Sequence, residues 1–169
     1  KAAVPRATRV ALLWNPVPPS AATYRKIVED AALKLGMSVQ VVEVRGRDEF
    51  DSAFAAIVRG RADAVVVDSD PVFFTARSQL VELAMKHQLP AVYQAREFVV
   101  IGGLMSYGDN VAYRFRRAAV YVDKILKGAK PGELAVEQSA KFEFMLNLKT
   151  ARQLGLALPP TILLRADEV

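Results

Sequence analysis

The feature that most constrains this chain is a repeated switch between two periodicities. Short apolar runs that do not alternate, such as Val10–Trp14 (VALLW) and Ala64–Val67 (AVVV), are each followed by a longer stretch with helical spacing. A strand that is apolar on both sides has to be covered on both faces, and strands separated by helices run parallel. The pattern therefore predicts an α/β fold built on a parallel sheet. Right-handed crossovers make it a doubly wound sheet of flavodoxin-like order for the first four or five strands.

Read in order, Arg9–Trp14 predicts a first strand, broken by Pro16-Val17-Pro18-Pro19. Ser20 is placed to cap a helix reaching about Gly36, with Tyr24, Ile27, Val28, Ala31 and Leu35 on one face. Ser38–Val44 predicts a second strand. Asp48 is placed to cap a second helix that carries Phe50, Phe54, Ile57 and Val58 and stops near Gly60. Ala64–Val67 predicts a third strand, and Asp70-Pro71 opens a helix to about His87. Pro90–Tyr93 and, after Gly102-Gly103, Leu104–Tyr107 predict two more strands. Asp109 or Asn110 caps the clearest helix, with Val111, Phe115, Ala118, Val122 and Ile125 in one stripe and Gly128 at its end. Beyond Pro131-Gly132 the rhythm changes. Phe142–Leu146 alternates like a strand, Leu148–Leu154 reads as a helical turn, and Thr161–Leu164 predicts a last extended piece. The division expected is an α/β lobe over 1–101 and an appended crossover, helix and tail over 102–169.

Composition removes several chemistries. The 169 residues contain no cysteine and one histidine, which excludes disulfides, thiolate catalysis and Cys- or His-rich metal sites. That histidine, His87, falls at a helix end on the amino side of the sheet, away from where such folds bind ligands. A net charge of +5 is too small to demand an acidic partner. The basic residues Arg114, Arg116, Arg117, Lys124 and Lys127 interleave with an apolar stripe and read as a solvated helix face, so no nucleic acid is implied. The NPVPPS loop after the first strand has no glycine, so neither a dinucleotide fingerprint nor a phosphate loop fits, and no cofactor is expected. No apolar run approaches the ~18 residues of a membrane span. The opening Lys1-Ala2-Ala3-Val4-Pro5 is read as the start of a processed or excised piece, with the targeting segment not in the chain.

Doubly wound sheets bind ligands at the carboxyl ends of their strands. Those ends are Trp14-Asn15-Pro16, Asp68-Ser69-Asp70-Pro71, Tyr93-Gln94-Ala95-Arg96 and Ser106-Tyr107-Gly108-Asp109. Each is rich in hydrogen-bonding or aromatic groups, as a pocket for a small polar ligand needs. Taken singly, such residues are explained by turn and cap chemistry. As a converging set they point to binding. The carboxylate pair Asp68 and Asp70 reads as cap and polar contact rather than as an acid–base couple, so no catalytic residue is assigned.

Several strings resemble ABC-transporter substrate-binding proteins of the type I periplasmic-binding-protein kind. They are Val10–Pro16 (VALLWNP), Ala64–Pro71 (AVVVDSDP), Leu89–Phe98 (LPAVYQAREF) and Gly102–Tyr107 (GGLMSY), then Arg116–Pro131, Glu137-Gln138, Asn147–Leu156 and Leu163–Val169. The resemblance runs over nearly the whole chain and is that of the C-terminal half. It implies two α/β lobes, of which this chain supplies the second, with the 110–127 helix packed on the first. The tail would then lack its usual sheet, and would pair with a second copy, fold back on its own domain, or adopt another arrangement.

The function this resemblance implies is solute capture without chemistry. A small polar solute, an amino acid or related compound, would sit between the lobes and be handed to a membrane permease, outside the cytoplasm as a periplasmic or lipid-anchored protein. The second lobe's contacts would be Asn15, Ser69, Asp70, Tyr93 and Gln94, with Tyr107 near the hinge. Asn15 and Gln94 donate and accept, Asp70 holds an ammonium group, and Tyr93 offers an aromatic face. An orphaned lobe surface is sticky, which makes a homodimer the expected self-association. The alternative on the same fold is the ligand-sensing domain of a regulator.

Overall fold

The computed structural model describes residues 1–137 and 141–169, so Gln138 of the Glu137-Gln138 pair lies outside the described residues. Its centre is a six-stranded sheet in the order β2-β1-β3-β4-β5-β6. The strands are β1 (Arg9–Trp14), β2 (Ser38–Glu43), β3 (Ala64–Val67), β4 (Ala91–Tyr93), β5 (Met105–Asp109) and β6 (Phe142–Leu146). The first five are parallel, with Val10 opposite Val39 on one side and Ala64 on the other, and β6 is antiparallel to β5. This is the expected doubly wound order with one antiparallel strand added at the edge.

Alternation along each strand sends side chains to two faces. Ala11, Leu13, Val65, Val67, Ala91 and Tyr93 point to one face. There they meet α2 (Phe50–Arg59), α3 (Pro71–Thr75), α4 (Arg77–Lys86) and α5 (Arg96–Val100) in one continuous core around Phe50, Phe54, Phe73 and Leu80, all fully buried. On the opposite face the cover is split. Leu12 and Trp14 pack under α1 (Ala21–Lys34), through Ala21, Tyr24 and Val28. Leu146 packs with Ala3 and Ile162 of α8 (Pro160–Leu163), beside partly buried Met105 and Phe144. Between these two clusters the sheet is open.

β5 and β6 fall where strands are expected at Leu104–Tyr107 and Phe142–Leu146 and continue the sheet past residue 101, and α7 (Leu148–Gln153) is fixed to it where Thr150 Oγ1 donates to the Gly102 carbonyl at 2.8 Å. Of the three fates open to the tail, this part folds back on its own domain. Arg96 reinforces the join, holding Glu143 at 3.0 Å and Glu168 at 3.1 Å. The helix expected from Asp70 to His87 is broken at Ala76, which closes α3 and opens α4. Thr161–Leu164 is not extended. Pro160 stands at the first helical position, where its fixed φ and missing N–H favour a turn of helix. Ser20 makes no side-chain cap, and Asp48 lies within a 3-10 turn, Arg47–Glu49. Asn110 does cap α6 (Val111–Leu126), accepting from the Tyr113 amide at 2.8 Å. The apolar stripe of α6 is another matter, because not one of its sixteen residues is buried.

Candidate functional site

The carboxyl ends of the five parallel strands form one edge of the sheet, and the residues singled out from the sequence can be placed on it. Asn15 and Asp70 are both buried and tied to each other, with Asn15 Nδ2 donating to Asp70 Oδ2 at 3.0 Å. Their remaining oxygens are also engaged. Asn15 Oδ1 accepts from the Val17 amide at 3.0 Å, and Asp70 Oδ1 accepts from the Val72 amide at 2.7 Å as the cap of α3. These residues pin the loop after β1 to the loop after β3. Both of Asp70's oxygens thus already accept within the fold.

Ser69 is exposed between them, and its amide donates to Asp68 Oδ1 at 2.6 Å. Asp68 is half-buried. Burial, aided by the charge of Asp70, holds its carboxyl above the usual carboxylate range, while the Ser69 amide opposes the shift. Gln94 donates from Nε2 to the Tyr24 hydroxyl at 2.8 Å. That phenol is pushed up to about 12, first by burial and then by the Asp68 charge. Tyr107 stands exposed, stacked on Phe142 with centroids 5.6 Å apart and planes 8° apart, and Phe144 meets it edge-on. Gly108 lets the end of β5 pass close to β4, because a Cβ there would run into the Gln94 carbonyl oxygen.

Tyr93 points the other way. It is 1% exposed and stacked on Phe98 at 4.4 Å, inside the core of the covered face. The strand period explains this: Tyr93 and Gln94 point to opposite faces, so only one of them can look into the open side. His87 caps the end of α4 and stacks on Phe54 at 6.1 Å, a structural role.

Ser69, Gln94 and Tyr107 thus come together with Asp68, the polar contact of the same strand end, and with two residues absent from the sequence-based set, Tyr24 and Phe142. Tyr24 lies in the first turn of α1, and that position was the available signal, although its helical spacing assigned it to a core face. Phe142 carried no local signal, because only the antiparallel pairing of β6 brings it beside Tyr107 and Asp109. All six border a groove of about 1370 Å³ or flank its mouth. The groove runs from this edge along the open face, over Val66, Val92 and Met105. Glu97 also borders it, and its Oε2 is buried with no hydrogen-bond partner among the described residues. The edge therefore offers more acceptors than donors and an aromatic wall, which suits a small solute with a donor-rich end and an apolar end. No group of three or more His, Cys, Asp or Glu among the described residues is arranged to hold a metal ion.

The family model for ABC transporter substrate binding proteins matches residues 1–169, and the chain belongs to that family. It is a family of substrate-binding transport components, not of enzymes. The fold is similar to that of an ABC domain from Streptococcus pneumonia solved in complex with L-Trp, at 24% identity and a TM-score of 0.88, covering 100% of this chain and 58% of that one. A conserved domain protein from Vibrio cholerae matches at 24% identity and a TM-score of 0.90, covering 99% and 56%. A ligand-free, open substrate-binding protein with adhesive properties from Clostridium difficile matches at 18% identity and 0.72, again covering 99% and 56%. The chain thus spans little more than half the length of these proteins. No curated protein sequence matches it.

Proposed function

We propose that this chain is the second-lobe half of a solute-capture site serving an ABC importer, and that the solute is an amino acid or a related small compound. The observation that carries the reading is the convergence, on one strand edge, of Asp68, Ser69, Gln94 and the Tyr24 hydroxyl beside the Tyr107–Phe142 stack. Asp68 accepts the solute's ammonium or other donor end, in the place first given to Asp70. Asn15 and Asp70 keep the two neighbouring loops at fixed separation. Tyr107 and Phe142 face the apolar part, the role first given to Tyr93. The L-Trp complex of the Streptococcus protein supports a solute with an aromatic side chain among the candidates.

Half a cleft buries too little of a ligand for tight binding. A first lobe opposite this edge completes the site, with α6 packed upon it, and closure of the pair presents the loaded protein to a membrane permease outside the cytoplasm. The exposed stripe of α6 and the chain's match to little more than half the length of the proteins it resembles support that arrangement.

The test is a titration of the two-lobed protein with amino acids, followed by fluorescence of Trp14, the single tryptophan, and by calorimetry. The expected result is saturable binding with the solute recovered unchanged, weakened about tenfold or more in Asp68→Asn and Gln94→Ala. Affinity untouched by both substitutions overturns the site, and recovery of a converted solute overturns the transport reading.

A further inference from the structure

Gln94 looks onto the open edge from a very short link. Only Gln94 and Ala95 separate the end of β4 at Tyr93 from the start of α5 at Arg96. Such a link takes its position from whatever holds its ends. On one side the Gln94 carbonyl leans on Gly108, in the space a Cβ there would fill. Gly108 is in turn paired with Glu143 across the β5–β6 ladder. The Glu143 side chain is only 15% exposed, and it accepts from Arg96 Nη1 at 3.0 Å. The path Gln94, Gly108, Glu143, Arg96 therefore closes on itself.

The other arm of the guanidinium extends the clamp. Arg96 Nη2 holds Glu168 at 3.1 Å. Glu168 bridges to Met145, and its carbonyl accepts from the Leu146 amide at 3.0 Å. One planar fork thus gathers the link after β4, strand β6 and the C-terminal segment, a geometry that a single ammonium does not reproduce. Tyr107 is the neighbour of Gly108 in β5, and Phe142 the neighbour of Glu143 in β6. The clamp that fixes Gln94 therefore also fixes how far Gln94 stands from the Tyr107–Phe142 stack. Every partner in it lies within this lobe, so the circuit is complete whatever packs against the lobe's open side.

We propose that Arg96 is a positioning residue of the solute site. It holds no solute itself. It sets the separation between Gln94 and the aromatic stack, and so selects solutes long enough, and aromatic enough, to span both. The selection rests on the solute reading above; the clamp itself does not.

Calorimetric titration of the two-lobed protein with L-tryptophan and with L-alanine tests the selection. In Arg96→Ala the dissociation constant for L-tryptophan is expected to rise about tenfold and that for L-alanine less than about twofold. Arg96→Lys should follow Arg96→Ala rather than the parent, and Glu143→Gln should reproduce most of the effect. Part-exposed ion pairs add little to global stability, so these variants keep the parent's melting curve. Amide hydrogen exchange without solute tests the clamp: the Asn110 and Leu146 amides, which donate to the Lys141 and Glu168 carbonyls, should exchange about tenfold faster in Arg96→Ala, with the amides of α2 unchanged. An equal loss for both amino acids, no loss, or full rescue by Arg96→Lys overturns the selection. Exchange that stays at the parent's rate overturns the clamp. A parent that binds neither amino acid overturns the solute reading and the selection with it, and the exchange rates still decide the clamp.

Discussion

The two faces of the sheet are made from the same strands, yet one is finished and the other is not. On the finished face α2, α3, α4 and α5 bring Phe50, Phe54, Ile57, Phe73 and Leu80 to full burial. On the other, α1 and α8 cover the two flanks and leave Val66 and Val92 under an open groove. Strand composition does not separate them, since β1 alone sends Leu13 to one face and Leu12 to the other, both fully buried. The difference lies in the helices. The helix that follows β5 in a doubly wound sheet would take its place beside α1, and here that helix stands off the lobe with every residue at least partly exposed.

The contrast is broken or sharpened most strongly by truncating matched apolar residues. Phe54→Ala empties part of a sealed core and is expected to cost about 3–5 kcal/mol in urea unfolding. Ile27→Ala, on the open wall, should stay within about 0.5 kcal/mol when the chain is monomeric. A cost at Ile27 approaching that at Phe54 would show the groove is already covered.

Next in size is the pinned edge between the faces. Asp70→Ala removes the cap of α3 and leaves Asn15 without its buried acceptor, an expected loss of about 2 kcal/mol with no solute present. A stable Asp70→Ala protein would return Asp70 to the role of a free solute contact.

Two carboxylates then give opposite pH signatures. Asp63 accepts from the Thr8 and Arg9 amides at 2.7 and 2.9 Å, and these hold its carboxyl below the usual carboxylate range. Its folded-state value lies under the unfolded one, so its contribution is present above the unfolded value and lost as pH falls through the folded one. Asp63→Asn should flatten the acid limb of the stability curve. Asp68 is the reverse, raised by burial, so the folded state holds the proton more tightly and stability falls as pH rises through the folded value. Asp68→Asn should therefore stabilise the protein slightly at neutral pH. Because Asp68 is about half-exposed, screening keeps the gain below about 1 kcal/mol. A loss of stability on this substitution would contradict the assignment of Asp68 as a strained, open acceptor.

Much of the fold was legible because it rests on local rules. Non-alternating runs such as Val10–Trp14 demand cover on both sides, and Asp70-Pro71 and Asn110 announce helix starts that the structure keeps. The failures share one cause. Whether Pro159-Pro160 leads to strand or helix depends on the docking of Ile162 against Leu146, which no local pattern contains. The site was legible as an edge and not as a set of side chains. Turn chemistry marks Asn15, Ser69 and Asp70, but it does not reveal that Asn15 and Asp70 are consumed by each other.

What the sequence determined by itself was the alternation, the parallel order it requires and the edge where ligands meet such a sheet, because periodicity and cap chemistry act within a few residues. What only the tertiary structure decided was which groups on that edge are free. Tyr93 turns into the core while Gln94 turns out, Tyr24 and Phe142 arrive from helix and antiparallel strand, and α6 stays uncovered. Those outcomes depend on contacts between residues far apart in the chain, where the burial of one side chain sets the exposure of another.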